Sequence, residues 1–241
     1  MNLKTFGNKA VIINFEDKSK EENFIIWKAE LADLISYQYA DIYDDFILTS
    51  HEITIIFKDK IEYSFIINLK ELVSKYETKK QKYIRNLWEI PVCFDPVFSE
   101  DLLLYSKKNL ISYDSFLKDF MKCTFQVNHF GFLPGFFYLS GLPKKLHIPR
   151  KSSPSKQVDK GTLAIGESNV GIYPQDSPGG WNKIGKTYVS FFNQSSNPPN
   201  QIIPGDKINF VSIDIYELKY KLENFSDSFD KFKSNSFEII C

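Results

Sequence analysis

An ordered series of glycines and prolines within residues 130–187 constrains the fold of this chain more than any other feature. The series includes Gly131, Pro134, Gly135, Gly141, Pro143, Pro149, Pro154, Gly161, Gly166, Gly171, Pro174, Pro178, Gly179 and Gly180. Glycine reaches backbone angles that other residues avoid, and proline fixes one angle, so these positions mark turns. The segment is therefore predicted to be a series of shaped loops joined by short strands.

Aromatic residues accompany these turns. They are Phe132, Phe136, Phe137, Tyr138, Tyr173 and Trp181. Binding and catalytic residues often lie on loops that a rigid scaffold holds in place, and ligand pockets are rich in aromatic side chains. The segment is therefore predicted to carry a recognition or catalytic surface, with the rest of the chain as its scaffold.

Length and composition set the size of the core and the class of partner. The 241 residues are 43% hydrophobic and 16% aromatic, which is sufficient for one large domain or two small ones. Lys plus Arg and Asp plus Glu number 30 each, so the chain is electrically neutral. This neutrality gives no electrostatic reason to expect nucleic acid or an anionic membrane as a partner.

The cysteines and the pattern of apolar residues indicate the cellular compartment in which the protein works. Cys93, Cys123 and Cys241 form no CxxC pair, so neither a disulfide framework nor a zinc knuckle is indicated. The N terminus has no apolar signal segment, and no run of about eighteen apolar residues occurs. These observations predict a reduced, cytoplasmic protein.

No motif in the sequence indicates a metal site or a catalytic nucleophile, acid or base. His51, His129 and His147 lack the HxH or HxxxH spacing of metal ligands. No serine lies in a GxSxG motif, and no cysteine has a base at a motif-like distance. No metal is therefore predicted, and the catalytic residues stay unassigned.

Apolar periodicity in the first part of the chain predicts a small α/β domain over residues 1–85. A strand near residues 9–15 precedes a helix that ends at about Tyr39. Two strands meet near His51, a second helix follows, and a strand begins near Asn86. Strand, helix, strand, strand, helix, strand is the order of a ferredoxin-like split βαβ domain.

The second part of the chain changes to short strands. After Pro91 two short helices are predicted, over residues 101–107 and 113–121. Many short strands with Gly/Pro turns follow from about Thr124, and this pattern favours a barrel or a sandwich. The second domain is predicted over residues 86–221, followed by a loosely attached C-terminal tail over residues 222–241.

Residues 180–187 match the P-loop pattern GxxxxGK[ST] letter for letter. A P-loop needs a strand before it and a helix after it, so that helix amides receive the phosphates. Here a proline turn precedes the motif, and the residues after Thr187 are unsuited to a long helix. The sequence therefore predicts that the match arose by chance.

Arg150 is one of only two arginines in the chain. The planar guanidinium fork is suited to binding a carboxylate through two hydrogen bonds. An exposed arginine or a loop salt bridge is an equally good interpretation of the sequence.

Several of these segments together resemble one protein family. They are GFLPGFFYLSGLP, the Pro149-Arg150 pair, GTLAIG, GIYP, SPGGW, IGKT and the later PP and PGD. Their order and spacing over residues 91–213 are similar to those of the family of the 5-oxoprolinase B subunit, which also includes the kinase inhibitor KipI and allophanate hydrolase subunit 1. The resemblance implies an α+β protein, in which the N-terminal ferredoxin-like domain is followed by a cyclophilin-like β-barrel domain.

The chain departs from the family pattern at several positions. Phe120, Val97, Ser155, Gln157, Lys186 and Asn169 replace a histidine, a glutamate, three arginines and a glutamine of the family, and Asp95-Pro96 replaces two glycines. The departures remove polar groups while the aromatic turns survive.

The resemblance implies that this chain is one subunit of an enzyme and that the subunit is inactive alone. With the A and C subunits it would convert 5-oxoproline to glutamate at the expense of ATP, which the complex and not this chain alone would bind. The implied substrate or partner site contains Pro134, Gly135, Phe136, Arg150, Tyr173, Ser177, Pro178, Gly179, Gly180 and Trp181. Arg150 would hold a carboxylate. The two turns at residues 134–136 and 177–181 would supply backbone N–H donors for negative charge that develops during the reaction.

The same resemblance implies one alternative, a KipI-like inhibitor that docks on a sensor histidine kinase and blocks its autophosphorylation. In either case some of the aromatic side chains are predicted to face a cleft or a partner chain, which for the enzyme would be the C subunit. The competing interpretation places Trp181 in the protein core.

Overall fold

The computed structural model describes residues 2–77, 80–224 and 229–240. Contacts between residues divide them into two units. The first contains the residues up to Ile84 and a short stretch from Glu238 onward, and the second extends from Arg85 to Phe237.

The first unit is an antiparallel sheet with two helices. Its elements are β1 (Asn2–Phe6), β2 (Ala10–Asn14), α1 (Phe24–Gln38), β3 (Tyr43–Leu48), β4 (Glu52–Phe57) and α2 (Tyr63–Glu77). The strands lie in the order β1-β2-β4-β3. Successive strand side chains point to opposite faces, and alternate residues of β2 and β4 are buried. These residues form one core with the helices, through Val11, Ile13, Ile53 and Ile55 of the strands and Leu31, Ile35, Leu69 and Val73 of the helices.

The predicted split βαβ arrangement differs from this sheet in its last strand. The position beside β2 is taken by β1, which pairs antiparallel with it from Asn2 opposite Asn14 to Phe6 opposite Ala10. A short connection through Gly7, at φ 64°, joins the two strands into a hairpin, and a short loop closes at a small entropy cost. The strand after α2 instead joins the second sheet, where its fully buried stretch from Ile90 is covered.

The second unit contains most of the described strands. Its elements are β5 (Lys82–Cys93), α3 (Glu100–Asn109), α4 (Tyr113–Phe120), β6 (Phe125–Phe130), β7 (Phe137–Ser140), β8 (Ser155–Val158), β9 (Thr162–Gly166), β10 (Asn169–Ile172), β11 (Ser177–Gly179), β12 (Asn182–Lys186), β13 (Lys207–Ile213), α5 (Ile215–Asn224) and β14 (Lys233–Ile240), the first and last of which continue across the boundary between the units.

The main sheet of this unit closes on itself. Its strand order is β12-β9-β10-β7-β6-β13-β5-β14, and a further pairing joins β12 to β5 through Lys186 and Cys93. Strand β13 runs parallel to β5, and β14 lies at the outer side of β5. A separate ribbon is formed by β11 and β8. The interior of the closed sheet is filled by aliphatic and phenylalanine side chains, among them Ile90, Phe125, Val127, Phe137 and Leu163.

The C-terminal region differs from the predicted tail. Helix α5 continues past residue 222, and residues 233–240 form strand β14. Phe232 is buried, and the Phe229 ring lies 4.8 Å from the Trp88 ring. The sequence signal was weak because most β14 side chains are exposed, as is usual for an edge strand.

No helix in the described part of the chain is long and apolar enough to span a membrane.

Candidate functional site

Strand β7 and the residue before it divide four consecutive aromatic and apolar side chains between two clusters. Phe137 and Leu139 point into the closed sheet and belong to its core. Phe136 and Tyr138 point to the other side, because successive side chains of a strand alternate. There Phe136 forms a second cluster with Val158, Ala164, Tyr173 and Trp181, against which Leu133 and Tyr138 pack.

Phe136 is the central ring of this second cluster. Its centroid lies 5.1 Å from Tyr138, 5.4 Å from Tyr173 and 5.5 Å from Trp181. The interplanar angles are 68°, 79° and 79°, so each pair meets edge to face. This geometry is favourable because the positive edge of one ring meets the negative face of the other.

Three glycines of the sequence motif leave room for these rings. A Cβ atom added to Gly166 would lie 2.4 Å from Trp181 Nε1, and one added to Gly171 would lie 2.7 Å from Phe136 Cζ. A Cβ atom added to Gly179 would lie 2.2 Å from Tyr173 Oη. Each distance is too short for two heavy atoms that are not bonded. The glycines of GTLAIG, GIYP and SPGGW therefore allow the aromatic rings to lie directly against the backbone.

The rings border a cavity of about 110 Å³ that is open on one side. It is lined by Phe132, Phe136, Tyr138, Arg150, Tyr173, Gly179, Gly180 and Trp181. Six of the ten residues predicted for the site are among these eight. The structure thus brings together aromatic walls, one guanidinium group and one backbone segment of two glycines.

Arg150 is exposed and lies at the edge of the cavity. Its Cζ is 5.9 Å from the centroid of the Trp181 ring, within the range of a cation–π contact. Within the described part of the chain Arg150 forms no ion pair, so the loop salt bridge considered from the sequence is not observed. Its guanidinium remains available to a ligand.

Hydrogen bonds on both sides of Arg150 fix its backbone. The Pro149 carbonyl accepts a hydrogen bond from Asn182 Nδ2 at 2.8 Å. The Lys151 amide donates to the Gly180 carbonyl, also at 2.8 Å. The loop that carries Arg150 is therefore attached to the same segment that carries Trp181.

Tyr173 supplies a neutral hydroxyl at the wall of the cavity. Burial raises the pKa of this phenol above its ordinary value of 10.0, while a backbone hydrogen bond from Trp181 and the charge of Arg150 act in the opposite direction. The side chain is 2% exposed. Because burial is the larger effect, the hydroxyl keeps its proton at neutral pH and can donate it to an acceptor.

Pro134 and Gly135 were predicted to belong to the site, but they do not line the cavity. Gly135 has φ 82°, and a Cβ there would lie 2.4 Å from Cβ of Phe192. The Phe136 amide donates to the Leu133 carbonyl at 2.9 Å. This turn therefore directs the Phe136 ring inward, and the Phe136 amide is already engaged.

Ser177 and Pro178 also lie outside the cavity lining. Ser177 pairs with Val158 in the β11–β8 ribbon, and its buried Oγ has no hydrogen-bond partner among the described residues. Pro178 is exposed. Within this turn Gly179 and Gly180 line the cavity, and because they have no side chains they present only backbone to it.

Two residues of the cavity, Phe132 and Tyr138, belong to the predicted aromatic surface but not to the ten predicted site residues. Tyr138 stacks on the His129 ring, with centroids 4.5 Å apart. Phe132 is 58% exposed, has φ 70°, and lies 5.4 Å from Phe136. Strand alternation with Phe136 could have indicated Tyr138, whereas the left-handed backbone of Phe132 has no sequence signal, since phenylalanine rarely adopts it.

The P-loop-like motif lacks the geometry of a P-loop. Strand β12 runs through it, and no helix follows Thr187 before strand β13. Ile184 is fully buried, and the Thr187 amide donates to the Gly161 carbonyl at 2.8 Å. Lys186 Nζ lies 3.7 Å from Asp159 Oδ2. The motif therefore supports a strand of the closed sheet and offers no helix N-terminus to a phosphate.

The residues that replace family polar groups are dispersed. Phe120 is a core residue with its ring 5.0 Å from that of Phe125, and Val97 is exposed. Gln157 Nε2 donates to Asp159 Oδ1 at 3.4 Å and to Asp176 Oδ2 at 3.5 Å, both at the long end of hydrogen-bond distances. Ser155 accepts a hydrogen bond at 3.0 Å from the side chain of Lys151, which follows Arg150 in sequence.

Among the described residues, no group of three or more His, Cys, Asp or Glu side chains lies close enough to hold a metal ion.

Comparison with known proteins places the chain in a family. The family described as "Carboxyltransferase domain, subdomain C and D" matches residues 1–202. The chain belongs to this family. The match covers both described units as far as residue 202, including every residue of the aromatic cavity.

Three curated relatives, from Bacillus subtilis, Haemophilus influenzae and Escherichia coli O157:H7, carry the same name, the B subunit of 5-oxoprolinase. The chain is 37% identical over 145 residues to the relative from Bacillus subtilis, a match covering 60% of this chain and 58% of the relative. It is 32% identical over 152 residues to the relative from Haemophilus influenzae, covering 61% and 71%. The chain thus matches less than two thirds of the length of the first relative.

The fold resembles that of part of a larger solved protein. The crystal structure of K. lactis urea amidolyase superposes with a TM-score of 0.75 at 15% identity, covering 99% of this chain and 16% of that one. At this identity the likeness concerns the fold alone.

Proposed function

We propose that this chain is the B subunit of an ATP-dependent 5-oxoprolinase, which converts 5-oxoproline to glutamate together with the A and C subunits. The three matched relatives are named as that subunit, and none of the matches favours the kinase-inhibitor alternative. The observation that carries the proposal is the aromatic cavity with Arg150 at its edge.

The cavity suits a small ring that carries one carboxylate. The lactam ring of 5-oxoproline would lie between the edges and faces of Phe136, Tyr173 and Trp181. Its carboxylate would accept two hydrogen bonds from the guanidinium of Arg150, which has no other anionic partner within the described residues.

The chemistry to be assisted is the hydrolysis of an unstrained amide. Such an amide resists attack by water, and activation of the amide is the chemistry that ATP would supply to the complex. Residues 180–187 do not have the geometry of a P-loop, so we assign ATP to the assembled complex. In this chain the backbone of Gly179 and Gly180 faces the cavity and would stabilise negative charge that develops on the lactam oxygen.

The open side of the cavity is the proposed contact with the C subunit. Phe132 and Arg150 are both exposed there, and a partner chain bound at this side would cover them together with the cavity. We further propose that the closed sheet is a cyclophilin-like β-barrel and that the protein works in the cytoplasm as part of a hetero-oligomer.

The proposal is tested by reconstitution with the purified A and C subunits. We expect 5-oxoproline-dependent release of glutamate and phosphate that disappears when this chain is omitted. Arg150→Ala should raise the KM for 5-oxoproline by about tenfold or more, the usual effect of losing a charged hydrogen bond. Lys144→Ala removes a positive charge from another exposed position and should leave KM unchanged. Full turnover by the A and C subunits alone would contradict the proposal.

A further inference from the structure

A buried acid lies behind the loop that carries Arg150. Asp101 is in the first turn of α3 and is 8% exposed. It is not among the residues that line the aromatic cavity. A carboxylate buried to this extent needs partners for its charge and for its oxygens.

Both oxygens of Asp101 have such partners. Oδ1 accepts a hydrogen bond from Lys151 Nζ at 2.7 Å, and Oδ2 accepts one from the backbone amide of Lys183 at 2.9 Å. Asp101 therefore bridges the loop of residues 149–151 and strand β12. The Lys151 side chain is 24% exposed, so this ion pair is better shielded from water than a surface pair.

Adjacent side chains of the loop diverge. Arg150 lines the cavity, whereas Lys151 reaches Asp101 and also donates to Ser155 Oγ at 3.0 Å. The amide of Lys151 is bonded to Gly180 at the same time. Fixing both the backbone and the ammonium group of Lys151 limits rotation of the loop, and so limits the directions in which Arg150 can point.

We propose that Asp101, acting through Lys151, is a positioning residue that holds the Arg150 guanidinium over Trp181. The ion pair fixes the geometry in which the cavity binds a carboxylate. Asp101 itself touches no substrate. The carboxylate part of this inference rests on the proposed function, whereas the position of Arg150 is a property of the free protein and is tested separately.

The position of Arg150 is measured through the indole N–H resonance of Trp181 in the free protein. The chain has three tryptophans, and Trp181→Phe assigns the resonance. Arg150→Ala should shift it by removing the cation from the ring. Asp101→Ala and Lys151→Met should shift it in the same direction, and the double variant Asp101→Ala, Arg150→Ala should match Arg150→Ala alone.

Matched variants separate positioning from a merely structural role. Lys151→Arg retains the ion pair and should keep the resonance near its wild-type position. Glu100→Gln removes the neighbouring, exposed acid that pairs with Lys183, and it should also leave the resonance in place. If the Asp101→Ala variant fails to fold, the Lys151→Met variant tests the proposal in its place. Lys151→Met removes the ion pair but keeps the hydrogen bond from the Lys183 amide to Asp101.

The proposal is overturned if Lys151→Met leaves the Trp181 resonance unchanged, or if Arg150→Ala itself does not move it. In the reconstituted complex, Lys151→Met should raise the KM for 5-oxoproline about as much as Arg150→Ala, with a smaller change in kcat, and Lys151→Arg should restore it. A fall in Tm with an unchanged KM would show a structural role only and also overturns the proposal. An inactive wild-type complex with the expected resonance shifts would refute the proposed function and not the positioning.

Discussion

The two sides of the β7 segment differ in what fills the space between their aromatic rings. Phe137 and Leu139 are fully buried among the side chains of the closed sheet. Phe136 and Tyr138, on the other side, surround a cavity with Tyr173 and Trp181. The first cluster is packed for stability, and the second leaves space bordered by polar groups. A buried aromatic residue therefore belongs to the core when other side chains fill the space around its ring, and to the candidate site when its ring borders a cavity.

The largest expected effect is on the packed side. Phe137→Ala should lower the free energy of unfolding by about 3–5 kcal/mol, because a fully buried ring is lost and the core cannot collapse completely. Urea denaturation measures this change. Phe137→Leu, which retains most of the volume, should cost much less. A loss below about 1 kcal/mol for Phe137→Ala would contradict the distinction between a filled core and a cavity.

Trp181 tests the same distinction from the cavity side. The side chain is 6% exposed, so truncation to alanine is expected to affect both stability and binding. Gly179→Ala is more selective, since its Cβ would lie 2.2 Å from Tyr173 Oη. It should destabilise the protein by about 1–3 kcal/mol through overpacking and raise the KM for 5-oxoproline.

Gly180→Ala is the matched control for Gly179→Ala. The nearest atom to a Cβ at Gly180 is Pro154 Cγ at 3.7 Å, an ordinary contact. Its effect on the free energy of unfolding should stay within about 0.5 kcal/mol. Equal destabilisation by the two substitutions, measured by urea denaturation, would show that the Tyr173 ring does not lie against this turn.

The buried carboxyl group of Asp206 is expected to make the stability of the protein depend on pH. Burial raises the pKa of Asp206, while hydrogen bonds from Asn86, Trp88 and Ile203 act in the opposite direction. A raised carboxyl pKa means that the folded state holds a proton that the unfolded state has released. The contribution to stability is therefore fully present below the ordinary pKa of 3.8 and is lost as the pH rises through the folded-state pKa.

Asp206→Asn should remove this dependence. The stability of the wild type relative to the variant is expected to increase as the pH falls from 7 toward about 3.8, measured by denaturation at each pH. The opposite slope would mean that the hydrogen bonds outweigh burial at this site.

The sequence predicted the aromatic cluster better than the contacts that position it. Gly166, Gly171 and Gly179 belong to turns that could be read directly, and the rings beside them followed. The pairing of Asp101 with Lys151 spans 50 positions and has no local pattern. Tertiary contacts of this kind appear only when the chain is folded.

The first sheet and the C terminus illustrate the same limit. Periodicity indicated the helices and strands of the first unit, but it could not show that β1 would pair with β2 in place of the strand after α2. Strand β14 was missed because an exposed edge strand buries too little apolar surface to leave a pattern.

A small effect on stability is expected at Phe132. Its side chain is 58% exposed, and its φ of 70° is unfavourable for phenylalanine. Phe132→Gly should change the free energy of unfolding by less than about 1 kcal/mol, since relief of backbone strain offsets the lost contacts. Binding of the C subunit, measured by calorimetric titration, should nevertheless weaken. Unchanged binding would place the proposed interface elsewhere.

The most direct test of the central claim compares two substrates in the reconstituted complex. 5-Oxoproline has the carboxylate that Arg150 is proposed to bind, and its carboxamide has the same ring without the charge. Arg150→Ala is predicted to lower kcat/KM for 5-oxoproline by about tenfold or more and to leave kcat/KM for the carboxamide nearly unchanged. An equal loss for both substrates, or no loss for either, would contradict the assignment of the aromatic cavity as the substrate site.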